Sequence, residues 1–325
     1  MLSLIAMSTM VLASTSPAPS GASTAPTAPG SVTLVTATGT IYGTLELPSG
    51  SGPFPLVVII AGSGPTDRNG NSPLIPGKNN SLLLLADALR ERGIASLRYD
   101  KRGIGESAKA MVSEADLRFD TYADDAAAWV NQYRKDPRFT TITIVGHSEG
   151  SLLGMLAAQR SPTDGYVSLE GAGRPADQVL REQLVKQLPP ALMTEANSTL
   201  DTLLAGHTVA NPPQALAALF RPSVQPYLIS WLRVNPQTEI ARLTIPVLIV
   251  QGTSDAQVPE SDAKLLATAQ PKAKLLIIQG MNHVLKQAPA DAASQRNSYS
   301  DPSIPDAPEL IDGVASFVKS VPRHR

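Results

Sequence analysis

Residues 56–60, Leu-Val-Val-Ile-Ile, form an unbroken apolar run. That is the pattern of a strand buried on both faces of a sheet. Further short segments that read as strands lie at 94–99, 140–145, 166–169, 246–251 and 274–278. Between them, apolar residues recur at helical spacing over 81–92, which Gly93 stops, over 121–134, which ends just before Asp136-Pro137, and over 151–160 and 308–321. Two earlier runs, 31–37 and 40–47, read as strands joined by a turn at Thr38-Gly39. Strands alternating with helices from residue 56 onward predict an α/β protein, its mostly parallel sheet flanked by helices on both faces. One stretch, 174–243, breaks the rhythm. It carries helical spacing at 180–188, 200–204, 215–220 and 227–232, interrupted by Pro189-Pro190, Pro212-Pro213, Pro222 and Pro236. It predicts a helical insertion between two strands of a core made of 31–173 and 244–325.

The first 30 residues stand apart from this pattern. Residues 2–12 are mostly apolar and too short to span a bilayer, and Val11-Leu12-Ala13 fits a small-residue cleavage site. Residues 14–31 are almost entirely Ser, Thr, Pro, Ala and Gly, a composition that cannot bury a core. An export signal followed by a flexible linker implies a secreted, periplasmic or cell-envelope protein. A frayed apolar tail on a cytoplasmic protein is the alternative, since no basic segment precedes the apolar run. The chain has 325 residues, 42% hydrophobic and 17% charged, with net charge −1. These values describe a globular chain with no basic surface for nucleic acid. The absence of cysteine excludes disulfides, thiolate metal sites and a cysteine nucleophile. No metal or organic cofactor and no stable membrane span is implied.

The stretch around which the chain is organised is Val145-Gly146-His147-Ser148-Glu149-Gly150-Ser151. It places a G-x-S-x-G motif between a strand and a helix, the context in which the motif forms a nucleophile elbow. A serine hydroxyl needs a base, and the base needs an orienting acid. The chain has four histidines: His147, His207, His283 and His324. His147 neighbours the serine and is expected to point elsewhere; His207 lies in the insertion and His324 at the tail. His283 follows the last strand, at the carboxyl edge where a doubly wound sheet places its site. Asp255, on the loop after the 246–251 strand, is the candidate acid. Glu170, at the end of the 166–169 strand, is its rival. For the oxyanion hole, the N–H of Glu149 and an N–H from the loop after residue 60 are candidates. On that loop Ser63 is chosen, with Gly62 as the neighbouring alternative. The glycine-rich loop lacks the lysine and Ser/Thr spacing of a nucleotide-binding P-loop.

Taken together, Ala61-Gly62-Ser63-Gly64-Pro65-Thr66-Asp67-Arg68-Asn69-Gly70, the loop at 100–107, the elbow at 146–150 and the loop at 252–259 resemble the α/β-hydrolase superfamily of serine hydrolases, in particular a group of bacterial esterase-like members. The resemblance runs from about Gly39 to the C-terminal helix. It implies a triad in the chain order Ser148, Asp255, His283 and a helical cap over the site. Many relatives have histidine where this chain has Ala61. Asp67 and Arg68, which can pair with each other, and Asp100 and Arg102 read as supports of their loops. Leu203, Leu204, Phe220, Tyr227 and Trp231 either line the pocket from the cap or pack its helices together. The reading is a carboxylesterase acting on small to medium acyl esters. A peptidase, lipase or acyltransferase on the same machinery, and a non-catalytic binding module, are the alternatives.

Overall fold

The computed structural model describes residues 30–289 and 291–323. The export signal and linker read over residues 1–30 lie outside the described residues apart from Gly30, and His324 lies outside them too. Two strands, β1 (Ser31–Thr36) and β2 (Gly39–Glu46), lead into β3 (Phe54–Ile60), α1 (Ser81–Glu91), β4 (Ala95–Tyr99), α2 (Phe119–Tyr133), β5 (Phe139–His147), α3 (Glu149–Arg160) and β6 (Gly165–Leu169). Five helices follow: α4 (Ala176–Val185), α5 (Pro190–Leu204), α6 (Ala217–Phe220), α7 (Gln225–Leu232) and α8 (Pro236–Ala241). The chain then returns through β7 (Val247–Gly252), α9 (Glu260–Ala269), β8 (Lys274–Ile278), α10 (Ala292–Ser298) and α11 (Pro308–Ser320). Eight strands form one sheet in the order β1-β2-β4-β3-β5-β6-β7-β8. The first three in this order pair antiparallel, and from β4 through β8 the pairing is parallel.

Strand periodicity splits the core into two layers. Leu56, Val58 and Ile60 of β3 face the layer built with α2, α3 and the inserted helices. Val57 and Ile59 face the layer built with α1 and α11. An apolar run without alternation is therefore what a central strand needs, because both of its faces are dry. Every parallel strand from β3 to β8 points its carboxyl end to the same edge. The loops carrying residues 61–70, 100–107, 148, 170, 255 and 283 all leave from that edge.

The strands match the sequence reading to within about two residues at their ends, the usual ambiguity of element boundaries. The differences are informative. Pro189-Pro190 does not interrupt a helix: α5 begins at Pro190 and runs on to Leu204. Proline at a first helical position loses no hydrogen bond, and its φ is already helical. The reading had no helix at α9 or α10. In α9 the buried residues are Asp262, Ala263 and Leu266, too sparse an apolar stripe to register as helical periodicity. In α10 the one buried residue is Ser298.

Candidate active site

Strand β5 ends at His147 and α3 begins at Glu149, so Ser148 makes the whole turn between them, at φ 56° and ψ −121°. A non-glycine residue held there is strained and persists only where its surroundings enforce it. The two glycines of the motif are required by contact. A Cβ on Gly146 would meet the Gly150 carbonyl oxygen at 2.2 Å, and one on Gly150 would meet the Ile60 carbonyl oxygen at 2.3 Å. The Ser148 N–H donates to the Leu169 carbonyl at 2.9 Å, tying the turn to the neighbouring strand.

The structure brings Ser148, His283 and Asp255 into one hydrogen-bonded line. His283 Nε2 lies 3.1 Å from Ser148 Oγ, and His283 Nδ1 lies 2.7 Å from Asp255 Oδ2. The Asp255 side chain is fully buried. Its Oδ1 accepts from the N–H of Gln257 at 2.7 Å and of Val258 at 2.9 Å. Burial acts to raise the Asp255 carboxyl, but the charge and hydrogen bond of His283 and further hydrogen bonds from Glu170 and Val258 outweigh it, and the group lies below the ordinary aspartate range. An ionised Asp255 keeps the imidazole proton on Nδ1 and leaves Nε2 to accept from the serine hydroxyl.

Glu170, the rival acid, sits behind Asp255. Its Oε1 accepts the Gly252 N–H at 2.9 Å, and its Oε2 takes the Gln251 amide. Burial, and then the negative charge of Asp255, push its carboxyl well above the ordinary range. One ligand atom each from Glu170, Asp255 and His283 lies within 4.8 Å of the others, close enough to hold a metal ion. A cation there would have to displace the Nδ1 proton that already joins His283 to Asp255.

The expectation that His147 points away from the site does not hold. Its Nε2–H donates to the His283 carbonyl at 2.7 Å, and the two rings lie 5.0 Å apart. Burial first, then the neighbouring His283, lower its pKa to about 3, so the ring is neutral and serves as a prop for the base loop. Asn282 anchors the same loop. It donates to Ser298 Oγ at 2.7 Å and accepts the N–H groups of Val284 and Lys286 at 3.2 Å. Neither role left a signal in the sequence, because both depend on α10 and on a loop conformation.

The Ser63 N–H makes no hydrogen bond among the described residues. The Glu149 N–H is at the start of α3, where helix geometry leaves donors unused. Ser63 and Glu149 line the same cleft as Ser148, and a Cβ on the preceding Gly62 would lie 3.1 Å from Ser148 Cβ. The loop supports are arranged differently from the sequence reading. Asp67 and Arg68 do not pair with each other. Asp67 accepts the N–H groups of Asn69 and Asn71 at 2.8 and 2.9 Å, closing its own turn. Arg68 pairs with Asp100 at 2.8 Å and with Glu106, stapling two loops together. Arg102 forks onto Asp125 of α2, its Nε 3.1 Å from Oδ2 and its Nη2 2.7 Å from Oδ1.

Two clefts open on the serine. One, of about 650 Å³ counting its mouth, is lined by Ser148, Leu152, Ala172, Val179, Leu180, Trp231 and Pro236 among others. The second, of about 630 Å³, lies on the imidazole side. It is lined by His283 and by uncharged polar groups, including Thr66, Ser72, Asn79 and Tyr299. A third, lined by Lys101, Glu114, Tyr122, Arg221 and Tyr227, shares Trp231 with the first. Of the cap residues singled out, Trp231 and Tyr227 line clefts. Leu203 and Phe220 are fully buried between helices, and Leu204 packs against them. His207 takes no part in the site.

The sequence matches two family models, one described as serine aminopeptidase, S33, over residues 80–220 and one described as TAP-like protein over residues 230–299. It is 29% identical to Esterase EstD of Thermotoga maritima over 246 residues, which span 75% of this chain and 57% of that protein. It is 26% identical to Rhodomycin D methylesterase DauP of a Streptomyces species, over 66% of this chain and 85% of that protein. Among solved structures, Est1E from Butyrivibrio proteoclasticus, with ferulic acid bound, superposes with a TM-score of 0.54 at 20% identity, covering 86% of this chain and 93% of its own. At that identity the superposition speaks for the fold.

Proposed function

We propose that this chain, an α/β-hydrolase, is a serine carboxylesterase. The observation that carries the reading is the unbroken line from Ser148 through His283 to Asp255 at the floor of two clefts. Ser148 Oγ attacks the ester carbonyl as His283 Nε2 takes its proton. Asp255 holds the imidazole in the required tautomer and stabilises its charged form. The N–H groups of Ser63 and Glu149 receive the negative charge that develops on the carbonyl oxygen. The imidazolium then returns its proton to the departing alcohol. A water molecule deprotonated by the same imidazole releases the acyl group.

The substrate follows from which cleft meets which part. The leaving alcohol must lie on the side of the imidazole that protonates it, and that cleft is lined by hydroxyl and amide groups. The acyl chain is left with the largely apolar cleft beneath α4 and Trp231. Such a lining discriminates chain length only modestly, which fits small to medium uncharged acyl groups. The named activities of EstD and DauP support an ester substrate. The aminopeptidase name of one matching family favours a peptide amine as the alternative, yet the acids at the clefts are already paired: Glu149 with Lys101, and Glu114 with Arg221. A substrate ammonium would have to break one of those pairs.

The test is a fluorophosphonate probe with a panel of p-nitrophenyl esters and aminoacyl amides. Labelling at Ser148, lost in Ser148→Ala, with esters cleaved at higher kcat/KM than every amide, is the expected result. Faster amide cleavage would move the reading to a peptidase, and absence of labelling to a binding module. The apolar run at 2–12 and the linker after it support export to the envelope or medium as part of the same proposal.

A further inference from the structure

Lys101 follows β4 and is one of the most deeply buried large side chains in the protein, 2% exposed. Its ammonium donates to two acceptors: the Gly62 carbonyl at 2.6 Å and Glu149 Oε1 at 2.9 Å. The Tyr122 ring lies 5.1 Å from it. Both acceptors belong to the oxyanion hole. Glu149 supplies one N–H donor. The Gly62 carbonyl shares its peptide unit with the other donor, the N–H of Ser63. A trans peptide unit is planar, and its C=O and N–H point in opposite directions. Anchoring the Gly62 oxygen on Lys101 therefore aims the Ser63 N–H to the opposite side of the unit, and that unit lies against Ser148. A cation on the carbonyl also polarises the peptide, strengthening the N–H as a donor.

We propose that Lys101 is a positioning residue of the oxyanion hole, holding its two halves, the Gly62–Ser63 peptide and Glu149, at a fixed separation. The proposal rests on the serine-hydrolase reading. It accounts for an expensive feature, since a buried ion pair is a weak source of stability. It also supplies what the small side chain of Ala61 cannot, a hold on the loop from the end of the neighbouring strand.

The experiment compares wild type, Lys101→Met and the double variant Lys101→Met/Glu149→Gln, which leaves no unpaired buried carboxylate and so guards against misfolding. Each is assayed on one p-nitrophenyl ester. Each is also titrated with a trifluoromethyl ketone, which adds Ser148 to give an oxyanion, and with the matching methyl ketone as a binding control. Losing a whole oxyanion donor costs on the order of 10²–10³ in kcat. Misaiming one is expected to cost about tenfold to a hundredfold in both variants. The trifluoromethyl ketone should weaken by the same factor, while KM and the methyl ketone affinity stay within about threefold. Recovery of wild-type kcat in the double variant would overturn the proposal, because it would assign the loss to the stranded carboxylate. Equal weakening of both ketones would do the same, by pointing to general loosening. A wild-type enzyme that no fluorophosphonate labels would instead defeat the hydrolase reading itself.

Discussion

Replacing Asp255 by asparagine keeps shape and volume and changes one atom. The structure decides which atom that is. Asp255 Oδ1 accepts two backbone N–H groups, from Gln257 and Val258, and an amide nitrogen placed there would face two donors. Those backbone donors cannot change role whereas the imidazole proton can move, so the asparagine carbonyl is expected to keep that position, which puts its NH2 where Oδ2 now meets His283 Nδ1 at 2.7 Å and the Gln251 amide at 3.3 Å. An NH2 facing Nδ1 demands a lone pair there, and the ring proton moves to Nε2. The nitrogen next to Ser148 then donates instead of accepting, and the nucleophile has no base. The charge that would stabilise the imidazolium is lost as well. An isosteric amide in such a triad costs on the order of 10⁴ in kcat. A loss of 10³ to 10⁴ is expected here, about 4–5.5 kcal/mol at 1.36 kcal/mol per decade. The assay is steady-state hydrolysis of one p-nitrophenyl ester, with the melting temperature checked to be unchanged. A loss smaller than about tenfold with the fold intact would refute both the tautomer argument and the assignment of the acid.

Four further outcomes are expected. Glu170→Gln should cost less than about tenfold in kcat, because Glu170 reaches the imidazole only through Asp255. The same variant should alter pH dependence: wild-type Glu170 binds a proton in the folded state that the unfolded chain releases, so stability falls as pH rises from the ordinary glutamate value of about 4.3 toward the raised folded value. Thermal melts at pH 5 and pH 8 should therefore differ less in Glu170→Gln than in wild type, and equal differences would sink this account. Gly150→Ala should lower stability by about 3 kcal/mol and abolish activity, since its Cβ has to displace the Ile60 carbonyl; chemical denaturation measures it. Deleting residues 1–29 should leave melting temperature and kcat unchanged and keep the expressed protein in the cytoplasm. A large fall in melting temperature, or unaltered export on cell fractionation, would count against the leader-and-linker reading.

The fold was legible because its strands announce themselves. The runs at 56–60 and 247–250 are apolar on both faces, and only a central parallel strand requires that. The positions of Ser148, Asp255 and His283 were legible because each follows such a strand, and the sheet gathers those ends at one edge. Supports that depend on side-chain direction were not legible. Arg68 reaches Asp100 and not its sequence neighbour Asp67, a choice made by how two loops cross. His147 turns back onto the base loop, which adjacency to Ser148 gave no reason to expect. Lys101 sat inside a motif already singled out, between Asp100 and Arg102, and its burial marks it off from a surface lysine. A lysine directly after an apolar strand, facing a glycine-rich loop, is a signal that can be sought.

The hydrogen bonds that join Ser148, His283 and Asp255, and those that hold each of them, run among strand ends and loops at the carboxyl edge of the sheet. The helices α4 to α8 reach this network at its margin, where the Gln183 amide donates to the Gln257 carbonyl at 3.1 Å. Reactivity and selectivity thus occupy different stretches of chain. On the proposed esterase reading, changes within the insertion are expected to reshape the acyl cleft and leave the Ser148–His283–Asp255 distances in place. The elbow has no such freedom, because its glycines touch backbone on every side. Variation among descendants of this sequence should therefore gather between β6 and β7, and a library built to redirect the enzyme belongs there.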